Sequence, residues 1–170
     1  MKTQKACSFT GHRTIPQEHI APLVDLLDRA IAYAYAEGCR TFFSGGAVGF
    51  DLLAARRVLL FRISHPDARL VMLLPCLGQE EKWSPVQRER YYQVLRDADE
   101  VEYLADAYDG DCMRRRNAAL VSRADMLVAY VSRRGSGAGQ TLHMAERRGI
   151  PIYNLYPSIV RAEGRMRNEE

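Results

Sequence analysis

Short apolar runs alternate with longer segments of helical period along almost the whole chain, and no other feature limits the fold as strongly. The runs at 5–9, 40–44, 70–74, 100–104, 126–131 and 150–155 read as six strands. Segments 15–37, 50–64, 112–122 and 140–148, with one opened by Ser84-Pro85-Val86-Gln87, read as five helices between them. The run 70–74 is apolar throughout and has turn signals on both sides, as expected of a strand covered on both faces. Each parallel strand pair needs a long crossover, usually a helix, to bring the chain back. The alternation therefore predicts an α/β, Rossmann-like three-layer sandwich with a mostly parallel central sheet.

Local signals punctuate these elements. Thr14 and Gln17 form a capping-box pattern with Pro16 in the first turn, ahead of an apolar stripe of Ile20, Leu23, Val24, Leu27, Ile31 and Ala34. Pro22 lacks an N–H and crowds the preceding turn, which places the start of regular helix near Ala21. Gly38 ends that helix, and His65-Pro66 ends the next, with His65 as its C-terminal cap. Ser84 reads as an N-cap with Pro85 at the first helical position. In the fourth helix Met113, Leu120 and Val121 are expected to point inward.

With 170 residues, 47% hydrophobic and 26% charged, the chain fits one ordinary globular domain, expected over 1–160, with a charged and flexible tail at 161–170. The longest charge-free stretch, 149–160, has twelve residues and two prolines, too short to span a bilayer. Residues 1–5 carry basic side chains but lead into no apolar run, so the expected location is cytoplasmic. The four cysteines, Cys7, Cys39, Cys76 and Cys112, are far apart without a CxxC pair and read as reduced thiols. No His/Asp/Glu cluster stands at ligand spacing, so no metal is expected. Basic residues number 24 against 21 acidic, and only Lys2, Lys5 and Lys82 among them are lysines. An arginine bias suits forked recognition of phosphate, and it equally reflects genome composition.

In this architecture ligands bind beyond the carboxyl ends of the strands, where strand order reverses. Ser44-Gly45-Gly46-Ala47-Val48-Gly49-Phe50-Asp51 follows the second strand, and Gly135-Ser136-Gly137-Ala138-Gly139-Gln140-Thr141 follows the fifth. Each opens a helix. Glycines let the backbone approach an anion, and helix-start N–H groups bind phosphate, although either loop alone is also consistent with a tight turn. Together they favour a phosphate-bearing ligand. Neither contains the G-K-[ST] of a Walker loop, and no G-x-G-x-x-G follows the first strand, which disfavours an NTPase and an ordinary dehydrogenase. Asp51 has the wrong sign for phosphate, leaving helix capping or acceptance of ribose hydroxyls.

Thr10-Gly11-His12-Arg13 after the first strand, Ser44 to Ala47 with Gly49 and Asp51, and the loop from Gly135 to Thr141 resemble the YpsA-like branch of the SLOG superfamily. Pro75 with Gln79, Lys82 and Trp83, and Arg116-Asn117, extend the resemblance over nearly the whole chain. The superfamily also holds the LOG nucleotide-processing enzymes and the Rossmann domain of the DNA-processing protein DprA. The resemblance implies a Rossmann-like pocket for a nucleotide or nucleotide-derived ligand. LOG enzymes carry P-G-G-x-G-T-x-x-E with a catalytic glutamate; here Gly139-Gln140-Thr141-Leu142-His143 has no acidic residue until Glu146.

His12 reads as a phosphate or acid–base group, or as a loop histidine bonded to backbone. Arg13 reads as a phosphate contact. Trp83 stacks on a ligand beside Lys82 or anchors the core. His143 is expected in solvent. Arg114, Arg115 and Arg116 point in different directions on a helix, and the resemblance selects Arg116. The expected function is nucleotide binding by a sensor or regulatory module; whether the chain is an enzyme stays open. A hydrolase or transferase of nucleotide derivatives, or DprA-like binding of single-stranded DNA, is the alternative. The expected partner is a small nucleotide-like molecule; nucleic acid is disfavoured, no membrane contact is expected, and self-association stays open. No cofactor beyond such a ligand is assigned.

Overall fold

The computed structural model describes residues 4–168; the basic start at 1–3 and the last two residues of the expected tail lie outside them. Six strands, β1 (Lys5–Gly11), β2 (Cys39–Ser44), β3 (Arg69–Leu74), β4 (Glu100–Tyr103), β5 (Met126–Tyr130) and β6 (Ile152–Asn154), form one sheet in the order β4-β3-β2-β1-β5-β6. Every pairing is parallel. Strands β1 to β4 are laid out in one direction, and β5 then returns to the free edge of β1.

Helices α1 (Gln17–Ala36), α2 (Phe50–Ser64), α3 (Pro85–Asp97), α4 (Cys112–Ser122), α5 (Gly137–Arg148) and α6 (Tyr156–Asn168) cover both faces. Strand alternation divides the core between them. From β5, Met126, Val128 and Tyr130 join the larger core with Leu23, Leu27 and Ile31 of α1, Phe50 and Val58 of α2, and Ile159 of α6. Leu127 and Ala129 point the other way, to Val121 of α4 and Leu142 and Ala145 of α5. Both faces of β5 are buried, which is why its sequence carries no polar alternation. Among the described residues no helix is long and apolar enough to cross a membrane, and all four cysteines are buried and outside any disulfide.

Helices α2 and α4 match their sequence-based bounds, and Ser84 and Gln87 close a reciprocal capping box at α3. Three expectations need correction. Helix α1 runs unbroken through Pro22, and its N-cap is Pro16, without a side-chain cap from Thr14; Pro22 sits in the second turn, where it removes one hydrogen bond at a helix end and leaves the rest intact. Helix α5 begins at Gly137 rather than Gln140, because the Ser136 hydroxyl accepts the Gly139 N–H at 3.0 Å and so starts the helix among glycines. Residues beyond 160, expected as a tail, continue α6 to Asn168, held to the core by Ile159.

Candidate functional site

Strand β1 lies between β2 and β5, so the loops that leave β1 and β5 diverge to opposite faces and open a gap at the carboxyl edge of the sheet. A cleft of about 450 Å³ occupies it. The β1 loop forms one wall through Gly11, His12 and Arg13. The start of α2 contributes Ala47 and Asp51, α4 contributes Met113, Arg116 and Asn117, and the start of α5 contributes Ser136, Gly137 and Ala138. Tyr130, Ser132, Arg133 and Tyr156 line it too, with Thr10, Thr14 and Pro16.

The β1 loop is fixed by backbone bonds at both sides. Its His12 N–H donates to the Tyr130 carbonyl at 3.2 Å, and the Phe50 N–H donates to the His12 carbonyl at 3.1 Å. Close docking explains two glycines: a Cβ at Gly11 would strike the Phe50 ring, and one at Gly49, where φ is +82°, would strike the carbonyls of His12 and Arg13. The Ser132 N–H donates to His12 Nε2 at 2.7 Å, which leaves the proton of the neutral ring on Nδ1. Burial, then the charge of Arg133, lowers the His12 pKa from 6.5, so the ring is neutral at pH 7. Arg13 is exposed at the rim.

The loop between β2 and α2 is folded on itself. Ser44 Oγ accepts the Gly46 N–H at 3.3 Å and donates to the Asp51 carbonyl at 2.8 Å. Asp51 Oδ2 accepts the Ala47 N–H at 3.4 Å, while Oδ1 has no partner although the residue is only 5% exposed. Burial pushes this carboxyl up to about 6; Arg116, the Ala47 N–H and Arg13 pull it down less strongly. Arg116 is itself 5% exposed, donating from Nη1 to the Gly45 carbonyl at 2.6 Å and from Nε to Asn117 Oδ1 at 3.0 Å. A Cβ at Gly45 would stand 2.6 Å from Arg116 Nη1, so this glycine makes room for the guanidinium.

The residues proposed from sequence thus separate into two groups. Gly11, His12, Arg13, Asp51, Arg116, Asn117, Ser136 and Gly137 meet at the cleft. Ser44, Gly45, Gly46 and Gly49 lie behind it as support; Gly46, with φ of +70°, packs under Leu74 and Met72. Pro75 is buried after β3, Gln79 donates to the Tyr91 hydroxyl at 3.2 Å, Trp83 packs edge-on against Tyr91, and Lys82 is exposed; none of the four lines the cleft. Gly135 is exposed, Gly139 is pressed against the carbonyls of Arg133 and Arg134, and Thr141 bonds back to the Gly137 carbonyl at 3.2 Å. His65 caps α2 by bonding the Phe61 carbonyl, and His143 is exposed. Arg114 and Arg115 turn to Asp111 and Asp109, leaving Arg116 as the inward member of the triplet.

Sequence reasoning missed Arg133, Ser132, Tyr130 and Tyr156. Arg133 was visible as a basic residue just upstream of the second glycine-rich loop. Tyr156 comes from the unexpected helix. Behind it, His19 bonds the Tyr130 hydroxyl through Nδ1 at 2.7 Å and Glu163 through Nε2 at 3.1 Å. Burial, then Tyr156 and Glu163, pushes the Tyr130 phenol up to about 12. The fold also brings Glu18 beside His19 and Glu163, within 4.8 Å of one another, a cluster that sequence spacing could not reveal. Both ring nitrogens of His19 are already engaged within the protein.

A family model described as the YspA SLOG family matches residues 12–148, and the chain belongs to that family. The UPF0398 protein of Halalkalibacterium halodurans is 32% identical over 115 residues, covering 66% of this chain and 61% of that protein. The UPF0398 protein of Bacillus velezensis is 31% identical over 133 residues, covering 74% and 73%. The chain therefore spans less than two thirds of the first relative's length. Among solved structures, DNA processing protein A from Helicobacter pylori, described for its single-stranded DNA binding mode, aligns with a TM-score of 0.63 at 17% identity over 88% of this chain and 64% of that one. That likeness is one of fold.

Proposed function

We propose that the cleft binds a nucleotide or nucleotide-derived ligand and that the protein works as a sensor or regulatory module. One observation carries this: the first-turn amides of Gly137 and Ala138, which have no intrahelical acceptor, share a single cleft with Arg13, Arg133 and Arg116. Helix-start amides and guanidinium groups together favour a phosphate. A volume of about 450 Å³ suits a small organic ligand. The side chains favour binding over a chemical step, since His12 spends Nε2 on Ser132 and Tyr130 holds its proton far above neutral pH. Thermal melting and calorimetry against nucleotides and ADP-ribose derivatives test it. A ligand at a hundredfold excess over its Kd stabilises the fold by about 2.7 kcal/mol. A panel giving neither a melting shift nor heat refutes nucleotide binding.

The likeness to DNA processing protein A supports a second reading, single-stranded DNA bound along the rim formed by Arg13 and Arg133. That complex would weaken steeply as salt rises. Fluorescence anisotropy with labelled oligonucleotides decides, and no binding at low salt excludes it.

A further inference from the structure

We propose that Asp51 and Arg116 form a hydroxyl-reading subsite, so that the ligand carries a free vicinal diol, as the ribose of a ribonucleotide does and deoxyribose does not. This rests on the nucleotide reading above and narrows its ligand class.

The starting point is the unequal use of the two carboxylate oxygens of Asp51. Oδ2 holds the Ala47 N–H and with it the shape of the β2–α2 loop. Oδ1 is itself buried and stands without a hydrogen-bond partner, on a residue that is 5% exposed and lines the cleft. An unpartnered buried acceptor is costly, and a charged one more so. Its complement is a group that donates.

The neighbouring charges decide which donor. A phosphate would be repelled by the carboxylate. An ammonium or guanidinium group would be repelled by Arg116 and Arg13, both close enough to act on Asp51 electrostatically. A neutral hydroxyl meets neither objection. Arg116 also has capacity left: Nη1 and Nε are committed to Gly45 and Asn117, but Nη2 contacts only the Met113 sulfur, at 3.7 Å. One oxygen that accepts and one cation that donates, both on residues that line the cleft and act on each other electrostatically, match a sugar hydroxyl, which does both. Adjacent hydroxyls would engage the pair together. The phosphate then belongs at the α5 end, over the amides of Gly137 and Ala138 with Arg133 and Arg13.

Isothermal titration of the full chain with the four ribonucleoside 5′-monophosphates, each beside its 2′-deoxy, 3′-deoxy and 2′,3′-dideoxy form, tests this. A hydrogen bond to a charged group predicts that the dideoxy form of whichever nucleotide binds is weaker by roughly ten- to a hundredfold. In Asp51→Asn that preference should shrink to about threefold or less, because with its oxygen kept on the Ala47 N–H the amide presents an uncharged NH2 donor where Oδ1 accepts; circular dichroism establishes that the variant is folded. Equal affinity of wild type for ribo and dideoxy forms overturns the subsite and leaves nucleotide binding standing. A ribo preference that survives in Asp51→Asn overturns its assignment to Asp51. No binding by any form overturns the subsite as a reader of mononucleotide ribose, while nucleotide binding itself falls only if the wider panel above also fails.

Discussion

Asp51→Asn should make the unliganded protein more stable at neutral pH, by an amount the buried carboxylate sets. Its pKa rises from 3.8 to about 6 on folding, with burial as the chief cause. Every tenfold weakening of an acid corresponds to about 1.4 kcal/mol, so ionising Asp51 in the folded state costs about 3 kcal/mol. Proton counting gives the direction. Between about pH 4 and pH 6 the native state binds more protons at this site than the unfolded chain, so stability falls as pH rises through that window. The penalty is complete above it. Asparagine keeps the shape and an oxygen for the Ala47 N–H but carries no charge. Urea unfolding at pH 7.5 should therefore find the variant more stable by up to about 3 kcal/mol, roughly 6 to 12 °C in melting temperature for a domain of this size. Near pH 4 the two curves should converge. Equal stability at pH 7.5, or a less stable variant, would mean that the carboxylate is satisfied in the folded protein, and the case for a donor-seeking oxygen would fail with it.

Arg13→Ala should weaken a phosphorylated nucleotide by roughly ten- to a hundredfold and leave the parent nucleoside nearly unaffected, with lysine recovering part of the loss; calorimetry that finds both ligands equally weakened reassigns Arg13 to loop structure. Gly46→Val should destabilise the fold by about 2 to 5 kcal/mol, since φ is +70° and even the first side-chain carbon would sit 2.6 Å from Leu74 Cδ2; an unchanged urea midpoint counts against this packing. For His12, nitrogen NMR should find the neutral Nδ1–H tautomer at pH 7 and a midpoint below 6.5, so that folding stability contributed by this ring is present above pH 6.5 and lost as pH falls below it. A midpoint above 6.5 would refute the burial of the ring beside Arg133.

The architecture was legible because it depends on periodicity. Helix α2 is bounded by Gly49 and His65-Pro66, and α4 runs from Cys112 to Ser122, as their patterns imply. The start of α5 was not legible, since Gly-Ser-Gly-Ala-Gly has poor helix propensity and a single serine hydroxyl decides the matter. Helix α6 was hidden by its three arginines and Glu163; Ile159 is its one buried residue. At the site, loop positions led to Arg13 and Gly137, which line the cleft, but nothing in a one-dimensional pattern tells that Gly46 supports the loop from behind while Asp51 lines the cleft. The position of Asp51 at a helix start suits both capping and hydroxyl acceptance, and its two oxygens divide: one holds Ala47, and the other is buried without a partner.

The place of β1 in the sheet has a consequence for synthesis. Of the six described strands it is made first, and β2 soon covers one of its edges, but the other edge pairs with Met126–Tyr130. At about 5 to 20 residues per second, the roughly 120 residues between them take about 6 to 24 seconds to emerge. For that interval a growing chain carries an open strand edge rich in buried-type residues, a template for pairing with other chains. The cleft offers no relief, because Arg133, Ser136 and Gly137 are made later still. Any ligand of the cleft can reward only the finished molecule, so until Met126–Tyr130 arrives nothing in the sheet covers the edge beside which the cleft will form.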